Sequence, residues 1–360
     1  MKILAIHSVG WFKDDCTKES GVDIWRIWRP LEELKKHTDW QIDYQPSFIP
    51  GIEKYKDLSE FTEEEMEIAA KKLGKYDIVF SSYHPDPASA ALMDAVHDLY
   101  GTKFVLDIDD DMFAINDHNP FWTKVDEWGV YVMQRTINTT KYITTTNEYL
   151  AKKIQDRTEV DGKVFVLPNY IPDTYKHPAV DNGDKIVIGY FGGSSHYVDL
   201  HETKLFPALQ RIMHKYKNVH FKCVGQPVDY YLPSKRKSTH EPIRGRDWVT
   251  KLFPTLNMDI VVIPLEDVEF SKSKSNIKWQ EATRAGAAVV ASDVQPYQGL
   301  KHCATLVKDT ENDWYTAIEQ LLDSKIRSKQ VEAAKKELAK WRLEDHWQEY
   351  KKAFEEIYAL

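Results

Sequence analysis

Short apolar runs bounded by turn residues alternate with helical stretches along this chain, which is typical of parallel sheets covered on both faces. In the first half the apolar runs predict six strands, at residues 2–8, 40–45, 77–82, 103–108, 142–145 and 163–167. Apolar residues at helical spacing predict the helices between them, at residues 24–36, 62–73, 87–99, 125–138 and 147–156. The first half is therefore predicted to be one doubly wound α/β domain.

The second half repeats this pattern after a polar stretch, PDTYKHPAVDNGD, which is broken by proline and glycine and is typical of a linker. Its predicted strands are residues 185–191, 220–224, 258–263, 287–291 and 304–307, with helices at 203–216, 247–256, 276–285 and 313–322. A long charged run at residues 328–358 predicts one or two packing helices. We expect domains at residues 1–172 and 173–335, with residues 336–360 returning to the first domain.

Composition and charge narrow the class of protein. The 360 residues are too many for one ordinary core, so two domains with a cleft between them are expected. A formal charge of −8 argues against a general coat for nucleic acid. The three cysteines are far apart and indicate neither a disulfide framework nor a zinc cluster. With no signal-peptide or membrane-span pattern, a cytoplasmic location is predicted, and a peripheral place at the inner face of a membrane, or a host cytoplasm for a viral protein, stays open.

The segment FSKSKSNIKWQE, residues 270–281, carries the most informative chemistry. Ligands of open α/β sheets bind where strands end and helices begin, because unpaired backbone amides there attract anions. A helix is predicted to begin at Asn276, with Lys274 and Lys278 beside its first turn, which suits a diphosphate. Glu281, one turn further, can accept hydrogen bonds from a ribose diol. A lysine-rich surface loop that caps the helix would explain the same spacing.

Together with the stretch ATRAGAAVVAS that follows it, this segment resembles the donor-site segment of retaining glycosyltransferases of the GT-B fold, family 4 and its relatives. The stretches GYFGGSSHYVDL, VLDIDDDMF and VLPNYIP resemble other parts of these enzymes. The resemblance implies two Rossmann-like domains facing a cleft, with a C-terminal helix packing across. It also implies transfer of a sugar from a nucleoside-diphosphate sugar, with a UDP-sugar as the first choice of donor. The transfer is expected to retain the anomeric configuration and to need no metal or other cofactor.

The resemblance also implies roles for single residues. Glu281 resembles the glutamate that holds the donor ribose, and Lys274 or Lys278 resembles the basic residue on the donor diphosphate. Ser275 and Asn276 would supply backbone amides.

This sequence departs from the family pattern in two places. Ser273 stands where family 4 commonly has a second glutamate that contacts the transferred sugar, so that role is vacant or has moved. After the first strand of the second domain, Gly192, Gly193 and Ser194 lead to His196, in place of an arginine and a lysine for the phosphates. Small residues let backbone amides approach a phosphate closely, so amides plus His196 are predicted to build this side of the site, and a plain tight turn is the alternative.

A loop at Gly21, ahead of the first helix, is predicted to face the diphosphate across the cleft. On that helix, Arg26 and Arg29 are interpreted as surface residues rather than as ligands. The donor-binding residues expected from the sequence are thus Gly21, Gly192, Gly193, Ser194, His196, Lys274, Ser275, Asn276, Lys278 and Glu281.

DIDDD, residues 107–111, places four carboxylates within five residues. Such a run can hold a divalent metal on a nucleotide diphosphate, but that arrangement belongs to the single-domain GT-A layout, so no metal site is expected. The resemblance instead places Asp109 or Asp110 at the acceptor side of the cleft as catalytic residues. Because the carboxylates repel one another, one is expected to keep a proton or to pair with a cation. His84 is a candidate partner and a third catalytic candidate.

The sequence does not identify the acceptor of the sugar. A glycan or a lipid-linked glycan is the default for this fold, but a basic patch on an acidic protein can steer it to anionic surfaces, including membrane headgroups and DNA. Sugar transfer to hydroxymethylated cytosine in viral DNA is therefore an alternative. The basic segment at 233–246 contains Lys235, Arg236, Lys237, Arg244 and Arg246.

The sequence bears on two further classes of protein. The serine at position 273 leaves open a module that binds a nucleotide sugar without turnover. A dinucleotide-dependent oxidoreductase is disfavoured, because residues 7–11 after the first strand contain one glycine, Gly10, rather than the pattern Gly-x-Gly-x-x-Gly.

Overall fold

The computed structural model describes residues 1–6, 21–45, 62–82, 87–115, 127–157, 162–174, 181–193, 196–226, 232, 234–241 and 248–360. In the first half the strands are β1 Lys2–Ile6, β2 Gln41–Gln45, β3 Ile78–Ser82, β4 Lys103–Ile108, β5 Tyr142–Thr145 and β6 Lys163–Val166. In the second half they are β7 Ile186–Phe191, β8 Val219–Val224, β9 Lys237–His240, β10 Ile260–Ile263, β11 Ala288–Ser292 and β12 Thr305–Val307.

The strands form two separate sheets of six parallel strands. The first has the order β2-β1-β3-β4-β5-β6, and the second has the order β12-β11-β10-β7-β8-β9. The register pairs buried apolar residues, as where Leu106 of β4 pairs with Ile143 of β5 and Ile260 of β10 pairs with Ala288 of β11. The predicted α/β class with two doubly wound halves is confirmed.

Helices cover both faces of each sheet. They are α1 Arg29–His37, α2 Glu63–Leu73, α3 Pro87–Tyr100, α4 Glu127–Thr140, α5 Glu148–Arg157, α6 Tyr197–Glu202, α7 Leu205–Lys215, α8 Glu269–Lys272, α9 Ile277–Arg284, α10 Gln295–Gln298, α11 Glu311–Leu322, α12 Ser324–Leu338 and α13 Leu343–Ala359. A π-helical turn, Asp23–Trp28, leads into α1, and a second one, Trp248–Leu252, stands where a regular helix is expected at residues 247–256. The predicted end of the first strand at residues 7–8 lies outside the described residues.

One strand is not predicted by the sequence pattern. β9 lies within the basic segment, at the edge of the second sheet, and pairs in parallel with β8. Arg236, just before it, donates hydrogen bonds to the backbone carbonyls of Met213, Tyr216 and Val219. Its guanidinium therefore anchors the edge strand to the turn between α7 and β8.

Each sheet has apolar side chains packed on both faces, and the last helix joins the core of the first half. Phe354 of α13 is fully buried and packs edge-on against Phe80 of β3, with ring centroids 5.2 Å apart. The chain reaches this place through a backbone bridge between Ile171 and Arg342. Helix α13 thus crosses back over the first sheet. Within the described residues, no helix is both long and apolar enough to cross a membrane.

Candidate functional site

The site is built on the segment that joins α8 to α9, because this segment lies against the carboxyl ends of β4 and β5. Lys274 Nζ lies 3.0 Å from both carboxylate oxygens of Asp110, which follows β4. Asn147, which follows β5, donates from Nδ2 to the Ser273 carbonyl at 2.7 Å. Asn169 Nδ2 donates to Ser275 Oγ at 2.8 Å. These contacts bring residues of both halves to one place at the carboxyl edges of the two sheets.

Ser273 is completely buried, and its hydroxyl has two partners. Oγ donates to the Phe270 carbonyl at 2.6 Å and accepts from the Asp111 backbone amide at 3.1 Å. A serine at this position therefore joins the two halves. Its hydroxyl already makes two hydrogen bonds within the protein.

Two lysines lie beside the first turn of α9. Lys274 is 11% exposed and lies over the Phe270 ring, 4.2 Å from its centroid. Lys278 Nζ lies 5.5 Å from the centroid of the Tyr190 ring. Burial, together with the charge of Lys274, lowers the pKa of Lys278 to about 8, against the opposing effect of the Asp199 charge. The helix begins at Asn276, whose side chain accepts from Gln280 Nε2 at 2.8 Å rather than capping the helix.

Glu281 lies one turn into α9 and is 5% exposed. Its Oε1 accepts a hydrogen bond from Trp248 Nε1 at 3.0 Å. Burial raises the pKa of Glu281 to about 7, although the bond from Trp248 and the charge of Lys278 act to lower it. Trp248 itself stacks on Phe253 with ring centroids 4.8 Å apart. The stacked Trp248 side chain therefore fixes one oxygen of this carboxylate.

The glycine turn after β7 differs from the expectation in part. The Gly192 amide donates to the Val224 carbonyl at 3.2 Å and so continues the pairing with β8. This amide already has a partner within the sheet, whereas the sequence led us to expect it to face a phosphate. A Cβ at Gly192 would lie 2.4 Å from Tyr190 Oη, so close packing on Tyr190 requires glycine here. Gly193 accepts from Gln226 Nε2 through its carbonyl at 2.5 Å. Ser194 lies outside the described residues.

His196, the other residue expected on this side of the site, has a partner within the protein. Its Nδ1 lies 2.7 Å from Asp199 Oδ2, and its side chain is 14% exposed. Burial, together with the nearby charge of Lys278, lowers the pKa of His196 to about 4, against the opposing effect of the hydrogen bond to Asp199. The imidazole is therefore neutral at neutral pH, so His196 adds no positive charge of its own to this side of the site.

Three of the four aspartates of DIDDD pair with separate cations, whereas repulsion among the carboxylates led us to expect that one would keep a proton or pair with a cation. Asp110 pairs with Lys274, and Asp111 pairs with Arg157 at 2.5 Å. Asp109 is the one that keeps a proton, because burial, together with repulsion from Asp110 and Asp107, raises its pKa to about 8. The described residues contain no group of three or more histidine, cysteine, aspartate or glutamate side chains placed to hold a metal ion.

Asp107 pairs with Arg26, and here the surface interpretation of Arg26 is wrong. The guanidinium is 1% exposed and donates to both oxygens of Asp107, at 2.9 and 2.8 Å. It also donates to the Leu167 carbonyl at 2.5 Å and to Asn169 Oδ1 at 3.0 Å. Because Asn169 also hydrogen-bonds to Ser275, the buried Arg26 supports the segment that joins α8 to α9. Arg29 is partly exposed and lies over the Trp28 ring.

Solved structures of known proteins share this architecture. No protein-family model and no curated protein sequence matches the chain. Among solved structures, sucrose-phosphate synthase from Thermosynechococcus elongatus matches with a TM-score of 0.68 and 13% identity over 100% of both chains. HepE from Anabaena, in complex with UDP-glucose, matches with a TM-score of 0.67 and 12% identity over 100% of both chains. A UDP-forming trehalose-phosphate synthase from Burkholderia xenovorans gives 0.60 and 12% over 99% of both chains.

The fold is GT-B. In this GT-B protein the segment 273–276 and Glu281 belong to the second half, whereas Asp109, Asp110 and Asn147 belong to the first. Gly21 is exposed, at the start of the turn that leads into α1. The predicted residues His84, Arg244 and Arg246 lie outside the described residues. Identities of 12–13% establish the shared fold alone.

Sequence reasoning missed three residues of this GT-B site. Trp248 and Gln226 contact Glu281 and Gly193, but both are distant from them along the chain, and nothing local in the sequence points to either pairing. Asp199 is different, because it follows His196 by three residues on a short helix, a spacing at which side chains meet. The pattern His-x-x-Asp could have been recognised.

Proposed function

We propose that this protein transfers a sugar from a UDP-sugar to a hydroxyl of a glycan or lipid-linked glycan, with retention of the anomeric configuration. The observation that carries the proposal is the arrangement on α9, where Lys274 and Lys278 flank the first turn and Glu281 lies buried one turn further. A helix N-terminus with two cations suits a diphosphate, and a fixed carboxylate suits a ribose diol. The UDP-glucose in the HepE structure supports the choice of donor.

In the proposed reaction the anomeric carbon breaks its bond to the diphosphate oxygen and forms a bond to the acceptor oxygen on the same face. Charge develops on the leaving diphosphate, which also takes the acceptor proton. Lys274, Lys278 and backbone amides of the α9 turn stabilise that charge in a site shielded from water. With a pKa of about 8, Lys278 is mostly protonated at neutral pH. No protein nucleophile is required.

Donor binding in this scheme competes with an existing ion pair. Lys274 holds both oxygens of Asp110 at 3.0 Å, so a diphosphate has to share or replace that carboxylate. Asp110 and Asp109 are the first-half carboxyl groups next to the diphosphate position. We propose that they face the acceptor, with Asp109 protonated at neutral pH and able to donate a hydrogen bond.

We do not extend the proposal to DNA, because Arg236 of the basic segment donates to three backbone carbonyls.

Transfer without a metal ion stays part of the proposal. Three of the four DIDDD aspartates, Asp107, Asp110 and Asp111, are each neutralised by a protein cation, which leaves them poorly suited to bind a divalent ion.

Thermal unfolding in the presence of UDP, GDP, ADP, CMP and dTDP and their sugars tests the proposal. A ligand that binds the native state must raise the melting temperature, and we expect stabilisation by UDP and a UDP-sugar. Glu281→Ala should lose this shift, while Glu332→Ala, at an exposed glutamate of α12, should keep it. If none of these nucleotides shifts the melting temperature of the wild-type protein, the interpretation of α9 as a donor site is wrong.

A further inference from the structure

His196 and Asp199 form a buried pair at the carboxyl edge of the second sheet, next to Lys278. Asp199 is 5% exposed and uses both oxygens, Oδ2 with His196 Nδ1 at 2.7 Å and Oδ1 with the Glu266 backbone amide at 3.0 Å. Glu266 follows β10, and His196 follows β7. The pair therefore ties together the ends of two neighbouring strands.

The contacts of this pair determine which nitrogen of His196 carries the proton. The pKa of Asp199 lies below its ordinary value, because the bond from His196 and the Glu266 amide outweigh the effect of burial, so its carboxylate is ionised and can only accept. Nδ1 must then be the donor. The imidazole is neutral, so Nε2 carries a lone pair and acts as an acceptor.

Nε2 lies on the side of the ring away from Asp199, and no described residue hydrogen-bonds to it. The nearby positive charges belong to Lys278 and Lys274, which both lower the pKa of the imidazole. A diphosphate held by these lysines would therefore lie beside His196. An ionised phosphate oxygen carries no hydrogen, so it cannot pair with an acceptor nitrogen. The group that fits Nε2 is a hydroxyl of the sugar attached to that diphosphate.

We propose that His196 accepts, through Nε2, a hydrogen bond from a hydroxyl of the transferred sugar, and that Asp199 is the positioning residue that holds the ring in this tautomer. This inference rests on the proposed function and deepens it, because it assigns a residue that distinguishes one sugar from another. A site built to bind a hydroxyl rejects analogues that lack it, since the buried acceptor is then left unpaired.

The surrounding backbone keeps the pair in place without the sugar. The His196 amide donates to the Gly193 carbonyl at 3.1 Å, and the same carbonyl accepts from Gln226 Nε2 at 2.5 Å. Gly193, whose carbonyl accepts from the His196 amide, is thus held by a residue that follows β8. Nε2 is positioned before the donor arrives, which lowers the cost of ordering on binding.

Calorimetric titration with UDP and with UDP-glucose separates this role from the role of the lysines. For His196→Ala we expect UDP affinity within about twofold of wild type and UDP-glucose affinity about tenfold weaker, because one hydrogen bond to the sugar is lost. His196→Gln, whose amide oxygen can replace Nε2, should recover part of the loss. His201→Ala, on the same helix, is the matched control and should change neither affinity.

The tautomer is measured separately by ¹⁵N NMR of the histidine side chains at neutral pH, without any nucleotide. We expect an unprotonated Nε2 at His196 and a change of this signal in Asp199→Asn, whose amide can donate to Nδ1. A protonated Nε2 in the wild-type protein overturns the inference, and so does an equal effect of His196→Ala on UDP and UDP-glucose. If wild-type protein does not bind UDP at all, the proposed function itself fails.

Discussion

Replacing Glu281 with glutamine should stabilise the fold at high pH while it damages the site. The carboxylate is 5% exposed, and among the described residues its one hydrogen bond comes from Trp248 Nε1 at 3.0 Å. Glutamine has nearly the same shape and can accept the same bond through its amide oxygen. It carries no charge, however, and so avoids the cost of burying an ionised group.

The size of this effect follows from the pKa of Glu281, which burial raises from 4.5 to about 7. A raised carboxyl pKa destabilises the folded state as pH rises, because the unfolded chain releases the proton first. At ~1.4 kcal/mol for each pKa unit, the cost to wild type is about 1 kcal/mol at pH 5 and about 3 kcal/mol at pH 8. Glu281→Gln should therefore exceed wild type in stability by a margin that grows over this range.

Urea unfolding of the two proteins at pH 5 and pH 8 measures the margin. Glu332→Gln, which removes the same charge from an exposed glutamate 65% open to solvent, is the matched control and should show no comparable margin. The reasoning is refuted if Glu281→Gln is no more stable than wild type at pH 8, or if its margin is the same at both pH values. A UDP titration of the same samples should show that the stabilised variant binds more weakly.

Three other perturbations test separate parts of the site. Lys274→Ala should weaken UDP binding at least about tenfold, because a charge-assisted hydrogen bond is lost. Lys272→Ala, outside the site, should not weaken it, and equal effects of the two substitutions would contradict the assignment of Lys274 to the diphosphate. Arg26→Ala should lower the free energy of unfolding by about 3–5 kcal/mol, because it leaves Asp107 buried and unpaired. A loss within about 0.5 kcal/mol, as at an ordinary surface site, would show that the pair is not buried as described. Donor hydrolysis should survive dialysis against EDTA, and a rate that falls and is restored by Mg²⁺ would show a metal requirement.

Much of the fold could be predicted because the strands are continuous apolar runs. Residues 103–108 and 142–145 are predicted at the bounds that the structure gives to β4 and β5. β9 was missed because its sequence, KSTH, has no apolar pattern, and its strand conformation depends on pairing with β8 at the sheet edge. Sequence patterns describe burial well when the side chain itself is apolar.

The site was harder to predict, because its polar residues take their meaning from distant partners. Arg26 has the pattern of a surface arginine, and its burial depends on Asp107, which is 81 residues away. The pKa of Glu281 depends on burial that is not visible in α9 alone. His196 was expected to build the phosphate side of the site together with backbone amides, but burial and the charge of Lys278 keep its imidazole neutral, although Asp199 acts in the opposite direction.

The most direct test of the central claim is release of UDP from UDP-sugars in the absence of an acceptor. UDP-glucose, UDP-galactose and UDP-N-acetylglucosamine would each be incubated with wild type and with Lys274→Ala. We predict slow release of UDP from at least one of these donors by wild type and a large loss of that rate in the variant, because the leaving diphosphate loses its cation. Nucleotide binding without any release of UDP would contradict the claim of catalysis and indicate a binding module instead.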